Sequence, residues 1–349
     1  MKCCWKSLCL LAIGIQLMST CFSQDVGFSQ FYDQPLLRNP ALAGVFTGDA
    51  RFTASYRNQW QSVTIPYRTF GFSAEFKVPL HLVENDNATI ALQLVKDVAG
   101  TSEFSTTQVL PAFNYSFPLD SYGDYYLSVA FMAGWMQQRF DPTKLVLNDQ
   151  FLFASNGTFS ILPASRQVFD NTSVNYFDIS TGVSHSGVIW GETNYFIGAG
   201  LFHLTRPQVG FFENNKITLN KKLAFNIGIA APSGETNQII GYGDLFTQFG
   251  KGFKPEGVTT GQLGVLYDYG LFVEDDIRES VALGCLYRFD DAVIPVVQLQ
   301  LDKFLISASY DFNTSKLVTA SKSRGGLELV LSYRGNLRNF QWKCPRFSR

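Results

Sequence analysis

Gly326-Leu327-Glu328-Leu329-Val330-Leu331-Ser332-Tyr333 alternates apolar and polar side chains. In an extended strand successive side chains point to opposite faces. Leu327, Leu329, Leu331 and Tyr333 therefore share one face, and Glu328, Val330 and Ser332 the other. The same reading holds at 68-78, where Phe70, Phe72, Ala74, Phe76 and Val78 oppose Thr69, Gly71, Ser73, Glu75 and Lys77. At 304-312, Phe304, Ile306, Ala308, Tyr310 and Phe312 oppose Ser307, Ser309 and Asp311. A series of such segments, each about ten residues and separated by turns, is how a membrane-spanning β-barrel is written: apolar positions face lipid and polar ones the lumen.

Fourteen segments can be placed by period and turn punctuation: 50-60, 68-78, 89-97, 106-117, 125-136, 176-185, 195-204, 220-231, 236-249, 258-269, 279-289, 292-302, 304-312 and 326-335. The expected fold is an all-β, antiparallel up-and-down transmembrane barrel of about fourteen strands. An even count returns both ends to the same side, and closure removes the unpaired edges that lipid cannot solvate. With periplasmic ends, the long connection Gln137 to Asn175 falls outside the cell, as does the short Asp290-Asp291 turn. The turns near Gly234 and Lys303 fall in the periplasm. The lumen-facing set then includes Arg57, Glu75, Lys77, Asp268, Arg288, Asp311 and Glu328, of both signs.

Composition agrees with a barrel. The chain of 349 residues is 46% hydrophobic, 15% aromatic and only 16% charged, against about 25% charged in average soluble domains. A soluble sandwich or propeller would lack the charge to cover its outer faces. The mean hydropathy of +0.03 is too low for a helical membrane protein, and no apolar run of 18 residues follows the N-terminal segment. A net charge of -1 gives no general attraction for nucleic acid.

Lys2 and Lys6, the apolar stretch Leu8 to Leu17, and Cys21-Phe22-Ser23 read as a signal peptide cleaved after Ser23. Cys21 also allows a lipoprotein reading, for which Met18-Ser19-Thr20 is a poor lipobox. Cys3, Cys4, Cys9 and Cys21 would leave with the signal. Cys285 alternates with Val281, Leu283, Tyr287 and Phe289 and reads as a small apolar residue facing lipid. The expected division is a signal at 1-23, a periplasmic or plug segment at 24-49, the barrel at 50-335 and a periplasmic tail at 336-349. That tail carries Arg338, Lys343, Arg346 and Arg349 and reads as a docking element or a solvated end.

Motifs for chemistry are scarce. His81, His185 and His203 are far apart and in no metal-ligand spacing, and there is no G-x-S-x-G elbow. Glu274-Asp275-Asp276 reads first as a solvated turn, with calcium the alternative. Gly241-Tyr242-Gly243-Asp244 opens no helix, so it is no phosphate cradle. The expectation is a non-enzymatic protein without cofactor or metal. More distinctive is the segment before the first strand, Phe28-Ser29-Gln30-Phe31-Tyr32, Pro35, then Leu36-Leu37-Arg38-Asn39-Pro40-Ala41-Leu42-Ala43-Gly44. Asn-Pro initiates turns and Gly44 can take a positive φ. A plug, a strap across the barrel mouth and a plain leader all fit.

At these residues the chain resembles the PorP/SprF family of type IX secretion outer-membrane proteins of Bacteroidetes. The resemblance is carried by Phe28-Ser29-Gln30, by Asn39-Pro40-Ala41 with Gly44, and by Tyr56-Arg57-Asn58-Gln59-Trp60 followed by Pro66. It resumes at Tyr310-Asp311-Phe312-Asn313, continues through Gly325-Gly326 to Tyr333, and ends at Cys344-Pro345-Arg346-Phe347. What it implies is a barrel in the outer membrane, with both termini periplasmic, that assists export or surface attachment of cargo such as a gliding adhesin. The implied partners are outer-membrane lipid, the cargo's C-terminal domain and other secretion subunits, including peptidoglycan-linked periplasmic ones. A solute or lipid uptake channel is the alternative, and an outer-membrane hydrolase lacks its motifs.

Overall fold

Fourteen of the alternating segments close into a single antiparallel barrel in the computed structural model, which describes residues 27-61, 65-153, 157-163, 165-212, 217-250, 259-274, 277-315 and 318-336. In chain order the strands are β1 Ala50–Gln59, β2 Tyr67–Val78, β3 Asn87–Ala99, β4 Phe104–Pro118, β5 Tyr125–Arg139, β6 Phe151–Phe153, β7 Phe159–Ile161 and β8 Ser173–Ile189. They continue as β9 Thr193–Phe202, β10 Lys221–Pro232, β11 Gln238–Phe249, β12 Thr260–Glu274, β13 Ile277–Arg288, β14 Ala292–Leu301, β15 Phe304–Asn313 and β16 Arg324–Gly335. Each barrel strand pairs with its neighbours, and β1 closes on β16 with Arg57 opposite Glu328. Residues 1-26, which include the expected signal peptide, the Asp275-Asp276 pair and the tail from 337 onward lie outside the described residues.

The short pair β6 and β7 forms a separate two-stranded sheet within the long connection, which the periodicity left blank. At three residues each, these strands are too short to show a period. Several barrel strands also run longer than their alternation. β8 extends from Ser173 to Ile189 instead of 176-185, because a strand projecting past the hydrocarbon is free to carry polar residues on both faces.

The alternation sorts the wall as expected on its outer side. Phe70, Phe72, Phe76, Phe304, Ile306, Phe312, Leu327, Leu329 and Leu331 are all exposed outward, as is the free Cys285. Glu75, Lys77, Asp268, Asp311 and Glu328 point inward and are buried. The inner face departs from the expectation of a uniformly polar lumen. On β9 to β14 the inward side chains include Phe196, Ile240, Leu266, Leu286, Ile294 and Val296, which form one buried cluster with Phe31, Tyr32, Leu42 and Val45. A second buried cluster packs Leu36 and Ala43 against Leu110, Met132, Met136, Tyr176 and Phe202, so these sectors of the lumen are packed core, filled by residues before β1.

The two rims differ. On one lie the connections 60-66, 100-103, 140-172, 203-220, 250-259, 289-291 and 314-323. On the other, no connection exceeds the 79-86 turn between β2 and β3. The long connections at 140-172 and 203-220 pack together through phenylalanines: Phe140 meets Phe211 and Phe169 at centroid distances of 5.1 Å each. Leu329 sits near mid-strand on the apolar face, opposite Tyr56 and Ala308. Leu329→Lys is expected to cost about 2–4 kcal/mol, read as a lower urea midpoint for unfolding from lipid or detergent, whereas Ser332→Lys would probe the packed interior instead.

Candidate functional site

Residues 28-46 lie inside the wall and run along the barrel axis. The Gly27 carbonyl accepts from Arg57 near the rim of long connections, and the Phe46 carbonyl accepts from Lys77 near the opposite rim. Local chemistry shapes the path. Pro35 opens a single helical turn, Pro35–Arg38, where its missing N–H costs nothing. Asn39 then caps the turn Pro40–Leu42, its Oδ1 accepting from the Ala41 N–H at 2.9 Å. Gly44 has φ +81°, and a Cβ there would fall 2.1 Å from Thr89 Oγ1, so no other residue fits.

The barrel wall is cut to receive this segment. An added Cβ at Gly182 would sit 1.9 Å from Asn39 Oδ1, and one at Gly198 would sit 2.7 Å from Asn39 Nδ2. Gly71 leaves the space taken by the Phe28 ring, 2.7 Å from where a Cβ would be. Asn39 Nδ2 donates to the Val183 carbonyl at 3.1 Å, and Ser184 Oγ to the Ala41 carbonyl at 2.7 Å. Asn114 Nδ2 donates to the Ala43 carbonyl at 2.6 Å. Gln34 bridges Ser55 and Gln93 at 2.7 and 2.9 Å.

Charge is the strongest tie. Both oxygens of the fully buried Glu328 carboxylate accept backbone N–H groups, from Ser29 at 2.6 Å and Gln30 at 2.8 Å. Asp311 accepts from Ser29 Oγ at 2.5 Å, from Arg57 at 2.7 Å and from Arg288 at 2.8 Å. Lower in the lumen, Arg38 grips Asp244 through Nε and Nη2, both at 2.7 Å, while Asn226 donates to the same carboxylate at 2.9 Å. The Arg38 guanidinium also lies over the rings of Phe31 and Phe196, 5.1 and 5.4 Å from their centroids. Nearest the short-turn rim, Glu75 accepts from the Gly44 N–H at 2.9 Å and from Arg51 at 2.8 Å.

The residues singled out in the sequence separate into three places. Phe28, Ser29, Gln30, Asn39, Pro40 and Gly44 belong to the interior segment, and Arg57 and Asp311 to the wall that binds it. Tyr56 faces outward against the Phe70 ring, 4.8 Å away, and Gln59, Trp60 and Gly326 mark the β1–β16 seam at the long-connection rim. The Trp60 N–H there donates to the Gly325 carbonyl at 2.9 Å. Cys344 and Pro345 lie outside the described residues. Sequence reading passed over Arg38, Asp244 and Glu75 as binding residues. For Asp244 and Glu75 the available signal is charge at strand positions whose neighbours in the period face lipid; Arg38, in the turn before β1, has no such signal.

The histidines also part company. His203 pairs with Asp178 inside the lumen at 2.7 Å, and Thr205 takes the other carboxylate oxygen at 2.9 Å. His185 faces outward beside Tyr195, at 3.1 Å. Among the described residues no group of His, Cys, Asp and Glu could hold a metal ion.

The family model described as type IX secretion system membrane protein PorP/SprF matches residues 20-333. This chain belongs to that family. It is accordingly a β-barrel of the outer membrane and a component of type IX secretion. No curated protein matches the chain. Among solved structures, the toluene transporter TbuX of Ralstonia pickettii is 9% identical, with a TM-score of 0.51 over 90% of this chain and 96% of that one. A Pseudomonas aeruginosa FadL homologue is 10% identical, with a TM-score of 0.49 over 84% and 92%. These similarities concern the outer-membrane barrel fold.

Removing one partner of a buried ion pair leaves the other charge uncompensated, at a cost of about 3–5 kcal/mol. Arg38→Ala should therefore destabilise the PorP/SprF-family barrel by that order in urea unfolding. Adding Asp244→Asn should restore part of the loss, as contacting residues in a double-mutant cycle do.

Proposed function

We propose that this type IX component is an accessory that retains or anchors cargo, and that its lumen is not a conduit. The observation carrying this reading is the interior segment 28-46, which occupies the lumen and bonds to β1, β2, β4, β8, β11, β15 and β16. A cavity between Ile240, Asp268, Gln298 and Leu305 measures about 10 Å³, enough for one water. Even emptied, a fourteen-stranded barrel is narrower than porins, since width grows with strand number, and it would not pass a folded adhesin. Another subunit would then supply the translocation pore.

In this reading the rim of long connections faces the outside and presents the surface for the cargo's C-terminal domain. The short-turn rim faces the periplasm, where linked subunits would be met. The orientation follows the habit of bacterial barrels, with short periplasmic turns and longer outer loops. An uptake channel is disfavoured by the filled lumen, for a permeant would have to displace residues held by four buried carboxylates.

Purified full-length protein in planar bilayers is expected to show no stepwise ion conductance, and steady porin-like steps would overturn the closed-lumen reading. In cells, deleting the gene should leave at least one type IX adhesin undelivered or shed into the medium. Complete delivery and attachment of all of them would count against the accessory role.

A further inference from the structure

The short-turn rim is chemically lopsided. On the arc formed by the turns 79-86 and 119-124, the exposed apolar side chains include Leu80 (39%), Leu82 (74%), Val83 (54%), Leu119 (53%) and Tyr122 (74%). The same turns carry Glu84, Asp86, Asp120 and Asp124 and no lysine or arginine. Asp86 and Asp120 are spent on shaping their own turns: Asp86 accepts from the Leu82 and Val83 N–H groups, and Asp120 from those of Tyr122 and Tyr125. Glu84 and Asp124 add negative charge to an apolar surface that water alone would not favour. The neighbouring 190-192 turn continues this character with exposed Trp190 and Glu192. The turns further round, Ser233 to Asn237 and Asp302-Lys303, are also acidic through Glu235 and Asp302, as is the Glu274-Asp275-Asp276 stretch in the sequence. Ser233 to Asn237 and Asp302-Lys303 hold no large apolar residue, so the arcs differ in apolar surface and not in sign of charge.

One segment of this chain has the complementary chemistry and starts at this rim. β16 ends there at Gly335, and residues 337-349 follow as Leu-Arg-Asn-Phe-Gln-Trp-Lys-Cys-Pro-Arg-Phe-Ser-Arg. They hold Arg338, Lys343, Arg346 and Arg349, the aromatics Phe340, Trp342 and Phe347, and no acidic residue. Only β1 stands between β16 and β2 in the wall. At about 4.8 Å per strand the 79-86 turn lies roughly 12 Å along the rim, and the 119-124 turn roughly 22 Å. The thirteen residues 337-349 can span up to about 43 Å when extended.

We propose that residues 337-349 dock on the acidic, apolar arc formed by the turns 79-86 and 119-124. Arginine and lysine meet Glu84 and Asp124, and Phe340 and Trp342 cover Leu82, Val83 and Leu119. The tail is then a built part of the rim surface that any periplasmic partner encounters.

Cys344 supplies the test. In full-length protein carrying Cys285→Ser, at one barrel per nanodisc, a second cysteine is placed at Leu82→Cys or, on the other arc, at Lys303→Cys. Residue 303 lies closer to the root of the tail, and its substitution removes a repelling charge, so the comparison is biased against the proposal. Disulfide formation with Cys344 should be at least about tenfold faster from position 82, the ratio reporting local effective concentration. Adding Glu84→Lys and Asp124→Lys should slow it severalfold. Equal rates from 82 and 303, or indifference to charge reversal, would overturn the proposal and leave the arc to a separate partner. Val83→Cys gives the same readout where Leu82→Cys does not assemble, with heat-modifiable gel mobility as the folding check.

Discussion

A carboxylate on the inner face of a barrel strand must find partners inside the barrel, because burial without them costs several kcal/mol. Glu75, Asp244, Asp311 and Glu328 stand on four different strands, and each is met by the segment that precedes β1. Gly44, Arg38, Ser29 and Gln30 supply the groups, two of them only through backbone N–H. The wall and its filling therefore depend on each other. Emptied of residues 28-46, the lumen would keep Asp244 with Asn226 alone among the partners that hold it here, and Glu328 with the Arg57 guanidinium 3.7 Å away.

This dependence explains why different sectors of the lumen look unlike each other; Leu36 and Ala43 meet an apolar sector of their own, with Leu110, Met132, Met136 and Phe202. Where the segment presents backbone and polar side chains, near β1, β2, β15 and β16, the wall answers with Ser55, Arg57, Glu75, Ser307, Asp311 and Glu328. Where it presents Phe31, Tyr32, Leu42 and Val45, the wall answers with aliphatic residues and with Tyr242, whose ring stacks on Tyr32 at 4.7 Å. Along these sectors the described lumen is packed by side chains in the manner of a protein core. The small residues Gly71, Gly182 and Gly198 belong to the same fit, since a side chain at any of them would strike Phe28 or Asn39.

The wall was legible in the sequence because lipid imposes a period of two on every strand, and a period is visible in one chain. Phe70, Phe72, Leu327 and Leu331 announce the outer face without help from their partners in space. The interior was legible only in part. Ser29, Gln30, Asn39 and Gly44 stood out through their resemblance to a family and through turn chemistry, while Arg38 and Asp244 did not. These two are 206 residues apart, and their pairing is created by closure of the barrel, which no local pattern encodes. For the same reason no local pattern marks Ile240 and Ile294 as lumen residues, which lie where the filling is apolar.

The direction of the interior segment bears on how such a barrel is made. Its residues bond in sequence from the long-connection rim, at Arg57 and Asp311, to the short-turn rim, where the Asp49 N–H donates to the Gly335 carbonyl at 3.0 Å and the Asp49 carbonyl accepts from the Lys77 N–H at 2.7 Å. A chain threaded end to end through a closed wall of paired strands has little room to enter afterwards, since a barrel with an intact ladder offers no edge to open. The β1–β16 ladder is continuous over ten residue pairs, and the carboxylates at its inner side, Glu328 and Asp311, are the ones the segment binds first in chain order. Residues 28-46 meet the wall on many strands at once, from β1 and β2 through β4, β8 and β11 to β15 and β16. Seam and filling meet at Glu328, where hydrocarbon outside demands a complete ladder and buried charge inside demands a complete filling.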